Sequence, residues 1–126
     1  MGKHKKHTRP MRDLLLQMPL LQITPDGEID YAASNPALLV QIANNAETSL
    51  RAIHLGLAAV GVLLAHSAPE IETRDISGDA VEALGWFMAE LGEFAIVAHG
   101  LSAACRRYTA ADYAPRTAKA VPNVSV

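Results

Sequence analysis

Cysteine is nearly absent from this chain. Among 126 residues there is one, Cys105, so no disulfide can form within a single copy. Cys105 falls on the apolar face of a predicted helix, and only Arg106 beside it favours a thiolate. We therefore expect a small buried side chain in a protein of a reducing compartment, the cytoplasm.

Catalytic motifs are missing as well. The sequence has no Gly-rich phosphate loop, no G-x-S-x-G and no paired-cysteine spacing. No nucleophile, base and orienting group can be placed together from the order of the residues. These absences predict a protein that is not an enzyme and holds no cofactor.

The ionisable residues of the long apolar stretches lack the spacing of a metal centre. Di-iron bundles use Glu-x-x-His on facing helices. Here Glu93 follows Glu90 by three residues, and His99 lies six residues further on. Glu47 and His54 upstream are seven residues apart. We expect no metal ligands, and a carboxylate and histidine metal-binding bundle is the last-ranked alternative for the function.

Long apolar runs and aromatic residues are scarce. The longest uninterrupted apolar run, residues 55–65, has eleven residues, whereas a membrane span needs about 20. No secretory signal follows the basic N-terminus. The sequence therefore predicts no membrane segment, and an aromatic content of 5% favours close helix packing over a thick core.

The chain does contain two long stretches that are apolar at helical spacing. The more C-terminal stretch, residues 79–108, has no proline and can be capped by Ser77 or Asp79. Its apolar and small residues recur in steps of four and three, the pattern of a helix packed lengthwise on another helix. The members of this seam are Ala80, Leu84, Phe87, Leu91, Phe94, Ala98, Leu101, Cys105 and Tyr108.

The second stretch covers residues 36–66. Asn35 is a suitable N-cap, and Pro36 suits the first helical position. The connection, residues 67–77, contains Pro69 and several charges, so it ends one helix before the next begins. A connection this short makes the two helices antiparallel neighbours. The upstream seam consists of Leu39, Ala43, Ala46, Leu50, Ile53, Leu57, Val60 and Leu64.

A single register aligns the two seams over eight layers, with several small residues opposite large ones. The predicted pairs are Leu39 with Cys105, Ala43 with Leu101, Ala46 with Ala98, Leu50 with Phe94, Ile53 with Leu91, Leu57 with Phe87, Val60 with Leu84, and Leu64 with Ala80. The register predicts an all-α fold built on an antiparallel hairpin of two long helices.

The rest of the chain divides around this hairpin. We expect a basic flexible arm over residues 1–12, a short helix and turn segment packing on the hairpin over 13–35, the hairpin domain over 36–112, and a flexible tail over 113–126. Pro25-Asp26-Gly27 is a turn signal, because proline presets φ and glycine accepts a positive φ. The flanks of this turn alternate well enough for two short strands, and residues 11–18 can form a short helix.

Charge is distributed unevenly. The arm carries Lys3, Lys5, Lys6, Arg9 and Arg12 before the first acid. Six of the 11 Lys and Arg then remain against all 13 acids, a balance of −7 for the body. A basic arm of this kind can bind phosphates without sequence preference, which is the nucleic-acid alternative for the function.

Each long helix carries a second apolar stripe beyond its seam. These stripes consist of Ala52, Leu55, Ala59 and Val62 on the first helix, and Trp86, Ala89, Gly92 and Ile96 on the second. A lone hairpin leaves such stripes in water, and large exposed apolar patches usually mark interaction sites. We expect a homodimer that forms a four-helix bundle, with residues 11–21 as the competing cover within one copy.

The combination favours a non-enzymatic binding or regulatory adaptor that acts through protein–protein contacts. Alanine-rich two-helix chains of this kind are common among small bacterial and phage accessory proteins, and no motif assigns this chain to a family. The protein partner itself is unknown. An acidic body and the lack of a helix-turn-helix spacing favour a protein partner over nucleic acid.

Overall fold

The computed structural model describes residues 8–113, with side chains to residue 110, as an all-α fold without strands. Its elements are α1 (Pro10–Gln17), a 3-10 turn (Met18–Leu20), α2 (Pro36–His66), α3 (Ala68–Glu72) and α4 (Gly78–Tyr113). The two long helices pack against each other, which confirms the predicted helix pair. The arm residues 1–7 and the tail after Tyr113 lie outside the described part.

Local signals fix where the long helices begin. The side chain of Asn35 accepts a hydrogen bond from the Ala37 amide at 2.9 Å, and Pro36 occupies the first turn of α2. The Ser77 hydroxyl oxygen accepts one from the Ala80 amide at 3.1 Å. Both are ordinary N-caps, which satisfy amides that have no partner within the helix. Of the two predicted caps for α4, Ser77 is the one used.

For most predicted pairs, the two residues belong to the same buried cluster or line the same groove. Leu39, Ala43, Ala46 and Leu50 belong to one buried cluster with Cys105, Leu101 and Ala98, and Phe94 packs against it. Further along, Ile53, Leu57 and Val60 line the same groove as Leu91, Phe87 and Leu84. The helices are therefore neighbours along their whole length, and the residue-by-residue register stays a prediction.

The seam of α4 departs from the predicted one. Phe87 is 58% exposed and the next residue, Met88, is half-buried; Tyr108 is 49% exposed and the next residue, Thr109, is 1% exposed. Helix α4 is therefore rotated about its axis, so that at every second seam position the residue facing α2 is one later in the sequence than predicted. Tyr108 instead stacks on Tyr31 in the loop that precedes α2, with ring centroids 5.4 Å apart.

Two features of the connection and of α4 were not predicted. The connection contains the short helix α3, with Pro69 in its first turn. Helix α4 continues to Tyr113, five residues past the predicted end. Arg106 and Arg107 therefore lie more than a turn before the end of the helix, and its last turn contains no basic residue.

The N-terminal segment folds over one end of the hairpin, as expected. Helix α1 packs on α2, where the Gln17 side chain donates to Gln41 at 3.1 Å and accepts from Asn45 at 2.8 Å. Arg12, assigned to the flexible arm, lies in this helix. Leu14 and Leu21 are buried against the long helices.

The turn at Pro25-Asp26-Gly27 forms as predicted. Gly27 has φ +86°, a conformation that other residues rarely adopt, and the Thr24 amide donates to the Glu28 carbonyl at 2.7 Å. The expected strands reduce to one isolated bridge between Ile23 and Ile29. A two-stranded hairpin this short is too small to extend further.

Burial divides the molecule into two halves. Every buried side chain lies at or before Ile53 or at or after Ala98, and no residue from 54 to 97 is buried. We call the packed end, with α1 and residues 18–35, the closed half. The part formed by residues 54–97 is the open half.

Candidate interaction surface

The open half exposes large apolar side chains on both long helices. Leu57, Val60 and Leu64, which belong to the seam, are only half-buried. The most exposed large apolar residues in and beside the open half are Leu55 (67%), Val62 (58%), Leu63 (66%), Trp86 (69%), Phe87 (58%), Ile96 (67%) and Val97 (68%). Leaving such side chains in water forgoes roughly 1.5–3 kcal/mol for each one that could be fully buried.

A groove runs between α2 and α4 on the face that carries α1. In the closed half α1 covers the α2 side of this groove, and Met11 in its first turn lines the groove where this cover ends. Beyond Met11 the groove continues as a depression of about 230 Å³. We call this continuation the open groove; its lining consists of Met11, Ala52, Ile53, Gly56, Leu57, Val60, Leu84, Phe87, Met88 and Leu91.

Helical periodicity identifies which exposed residues share the face of α1. Eighteen residues make about five turns of an α-helix, so residues eighteen apart point the same way. Ala59 and Leu63 lie eighteen residues beyond Gln41 and Asn45, the two α2 residues that meet Gln17. Ala59 and Leu63 are therefore on the groove face, whereas Val62 is turned about 100° from Leu63 and about 60° from Ala59.

Helical periodicity supports the predicted apolar stripe on α2 but not the one on α4. Ala52, Leu55, Ala59 and Val62 are all exposed and lie within about 80° of one another around α2. On α4, Trp86, Ala89 and Ile96 are exposed, but Gly92 is half-buried and about 120° away from Trp86. Trp86 belongs with the groove side, and Ile96 with another side of the helix. Whether any of these residues binds a partner stays a prediction.

The helical glycines have no packing reason within the described residues. A Cβ built at Gly56, Gly61, Gly85 or Gly92 meets nothing within 4 Å. Glycine inside a helix costs roughly 0.5–1 kcal/mol relative to alanine. The close contact that would account for these glycines is therefore not made between α2 and α4 of one copy.

A second apolar depression, of about 490 Å³, lies between α1 and α4 in the closed half. Leu15 and Val97 line it and are 72% and 68% exposed. Arg12 at its edge is already bonded to Asp13 at 3.1 Å. The depression is thus apolar surface without an unpaired charge to select a polar ligand.

The main polar contacts between α2 and α4 lie in the closed half. Arg106 donates to both carboxylate oxygens of Glu47, at 3.0 and 2.8 Å, and to the Asn44 side-chain oxygen at 2.7 Å. Ser102 donates to Glu47 at 3.1 Å. The hydrogen bonds from Arg106, more than the opposing effect of burial, lower the pKa of Glu47. Glu47 is therefore bonded across the helices to Arg106, 59 positions further along the chain.

Charge is distributed unevenly over the open half. From Ala52 to Pro69 the chain has no Asp, Glu, Lys or Arg. The following turn and the start of α4 carry Glu70, Glu72, Asp75, Asp79 and Glu82. Of the predicted phosphate-binding residues, Arg9 and Arg12 are exposed at the first turn of α1, and Lys3, Lys5 and Lys6 lie outside the described residues.

The candidate metal and thiol residues do not assemble into a site. Within residues 8–113 no group of three or more His, Cys, Asp or Glu could hold a metal ion. Cys105 is fully buried, as expected, and burial raises the pKa of its thiol to about 11. A thiol with this pKa is protonated at neutral pH and therefore a poor nucleophile.

Helix α2 is long and apolar enough to cross a membrane by length and composition, with a mean hydropathy of 1.6. The uninterrupted apolar run of residues 55–65 is too short to indicate a span, but a longer window of α2 with interspersed polar residues is apolar enough. Core helices of soluble proteins meet the same criterion, but they are mostly buried, whereas 17% of this window is buried. Most of this window of α2 therefore lacks cover within the described chain.

Comparisons with protein-family models, with curated proteins and with solved structures find no match. The class of the protein is therefore defined by its own fold and surface. It is a small helical hairpin with a packed closed half and an open half that exposes apolar side chains on several sides.

Proposed function

We propose that this protein is a non-enzymatic helical binding module of the cytoplasm, an adaptor that acts through protein–protein contacts as a homodimer. One observation carries the proposal: thirteen large hydrophobic side chains among the described residues are at least 43% exposed. Ordered monomers rarely expose contiguous apolar patches larger than about 300–600 Å². Surface of this amount is typical of proteins that function with part of it covered.

The amount of surface in the open half suits a dimer. A buried large apolar side chain worth about 1.5–3 kcal/mol corresponds to roughly 60–120 Å² at 25 cal/mol per Å². Four of these seven side chains, Leu63, Trp86, Phe87 and Val97, lie on the groove side, and at about two-thirds exposure they give roughly 160–320 Å² per copy. The half-buried seam and the exposed alanines supply the rest of the roughly 1,200 Å² that stable interfaces bury in total. Pairing of two hairpins as a four-helix bundle is the simplest arrangement that covers it.

The sides of the open half that a bundle leaves uncovered are the proposed partner surface. Ile96 on α4 and Leu55 with Val62 on α2 lie away from the groove face and stay exposed in such a bundle. A partner helix or loop with apolar side chains fits these residues. The acidic side chains of α4 around them, Glu82 and Glu93, favour a partner with basic residues at its rim.

Light scattering on the purified full chain tests the dimer. The expected result is the mass of two copies at micromolar concentration, and a monomer that persists at that concentration contradicts the proposal. Capture of macromolecules from the native host, compared between the wild type and Ile96→Asp, tests the partner surface. The captured protein is expected to be lost with Ile96→Asp while the dimer mass is kept.

The nucleic-acid alternative is separated by salt and by the arm. Binding to phosphates weakens steeply as salt rises, and removal of residues 1–12, which carry all five basic residues of the arm, would abolish it. Capture of a protein partner is expected to survive this deletion. Nucleic acid retained by the full chain and lost from the shortened one would replace the adaptor proposal.

A further inference from the structure

We infer that the open groove is filled by the open half of a second copy of this chain, with the two hairpins antiparallel and groove face against groove face. The inference rests on the proposed homodimer and adds its geometry. It assigns Ala59, Leu63 and Phe87 to the contact between copies. It leaves Val62 and Ile96 outside that contact.

Helix α1 sets the length of the open groove. Its eight residues span about 12 Å, running from Gln17 beside Gln41 and Asn45 to Met11 beside Ala52 and Ile53. It therefore covers the α2 side of the groove down to the level of Ile53. From Ala52 to the end of α2 about fifteen residues remain, or roughly 20 Å of open groove.

The thickness of α1 decides the direction of the second copy. Helices pack with their axes about 8–10 Å apart, so α1 stands one helix layer above the groove. Two copies with their turns at the same end would bring both α1 helices together and hold the open grooves apart. Antiparallel copies avoid this, because each α1 then lies beyond the turn of the other copy and the two open halves meet directly.

The residues on the groove face fit this arrangement. When the open halves overlap from Ala52 to Ser67, Leu63 of one copy lies across from Gly56 of the other. Gly56 offers open space in one copy, since a Cβ there meets nothing within 4 Å. A large side chain against a glycine is the complementarity that close helix contacts need. The α2 surface involved contains no charged residue, so two copies can approach without burying an ion there.

Charge supports the same pairing at the ends of the contact. The antiparallel arrangement brings the turn of one copy to the first turn of α1 in the other. The turn carries Glu70, Glu72 and Asp75 beside Arg74, a balance of −2, and the start of α1 carries Arg9 and Arg12 beside Asp13, a balance of +1. Net charges of opposite sign therefore meet at both ends, whereas the stretch of α2 without Asp, Glu, Lys or Arg meets itself in the middle.

Two neighbouring substitutions on α2 separate the groove face from the rest of the helix. Leu63 and Val62 are similarly exposed, at 66% and 58%, so a charge at either position leaves the fold of one copy intact. We expect Leu63→Glu to raise the dimer dissociation constant about 100-fold, because it buries a charge in the contact. Val62→Glu is the matched control and is expected to leave the dimer constant nearly unchanged.

Sedimentation equilibrium of the full chain with each substitution measures the effect, and circular dichroism at 222 nm checks that helix content is kept. A dimer that survives Leu63→Glu but is lost with Val62→Glu overturns the proposed face while the dimer itself stands. A wild-type chain that stays monomeric overturns both the inference and the proposed dimer.

Cross-linking gives a second readout that does not depend on disruption. A cysteine at Ala59 lies on the groove face near the middle of the contact, and a cysteine at the neighbouring Ala58 points about 100° away from it. With a short bismaleimide reagent we expect covalent dimers from Ala59→Cys and none from Ala58→Cys. Cys105 is buried and is expected to stay unmodified, which the wild-type chain checks. Dimers from Ala58→Cys alone would contradict the antiparallel groove contact.

A lipid bilayer is the competing cover for the apolar surface of α2. Co-sedimentation of the full chain with vesicles of phosphatidylcholine and phosphatidylglycerol tests it. We expect the dimer to stay in the supernatant. Sedimentation with vesicles that dissociates the dimer, and that Leu63→Glu prevents, would assign the groove face to a membrane and overturn the inference.

Discussion

The ion pair between Glu47 and Arg106 allows a quantitative test of how α2 and α4 are held in the closed half. Glu47→Gln keeps the shape of the side chain and an oxygen for Ser102, but it removes the charge that receives both Arg106 hydrogen bonds. The two side chains are 43% and 39% exposed, so solvent screens the pair. An exposed pair with good two-point geometry contributes about 1 kcal/mol, and we expect a loss of that size in the free energy of unfolding at pH 7.

The pH dependence has a definite sign. Hydrogen bonds from Arg106 are the largest cause that lowers the pKa of Glu47 in the folded protein. The stabilisation is therefore complete above the pKa of the unfolded chain, near 4.5, and is lost as the pH falls through the lowered folded value. The difference between wild type and Glu47→Gln should be present at pH 7 and should diminish at pH 3, below the pKa of the unfolded chain.

Urea unfolding followed by circular dichroism, at equal protein concentration and at both pH values, measures the difference. Glu93→Gln is the matched control, because it also removes an exposed carboxylate of the hairpin, at a position without an ion pair among the described residues. Equal effects of the two substitutions at pH 7 would refute the reasoning. So would a Glu47→Gln effect that persists undiminished at pH 3.

Two further changes have expected effects on stability. The hydroxyl of Ser49 is fully buried and has no hydrogen-bond partner among the described residues. Ser49→Ala should therefore raise the free energy of unfolding by about 1 kcal/mol. An unchanged or lower urea midpoint would contradict this. Gly27→Ala should lower the free energy of unfolding by about 1 kcal/mol, because φ +86° is strained for alanine although no atom would clash with its Cβ. The melting temperature measures this loss, and Gly78→Ala at the start of α4 is the control.

Sequence patterns predicted those parts of the fold that depend on local chemistry. The bounds of α2 follow from Asn35 and Pro36 at one end and from the polar connection at the other. The turn at Gly27 follows from the residues that accept its geometry. Helix α3 was missed because Pro69 was interpreted as a stop, although a proline in the first turn also starts a helix. The extra length of α4 was foreseeable, since no glycine or proline follows Arg107 before Pro115.

The relative rotation of the helices could not be predicted from two seams alone. Phe87 and Tyr108 were assigned to the seam because a two-helix interface was assumed. In the structure α1 packs on α2, and its Leu14 joins the buried cluster that contains Ala98 and Leu101 of α4. The bond between Glu47 and Arg106 depends on that rotation, and these residues are 59 positions apart. Spacing along one helix therefore could not identify Arg106 as the partner of Glu47.

The uneven burial along α2 and α4 has a consequence for how this protein opens. Both helices run without interruption through the closed and the open half, yet only the closed half has a core. Local unfolding costs least where few side chains are buried, so the chain should fray inward from the turn at residues 67–77 and stop near Ile53 and Ala98. Amide protons would then exchange along a gradient within a single helix, and the turn would be the first site that a protease can cut.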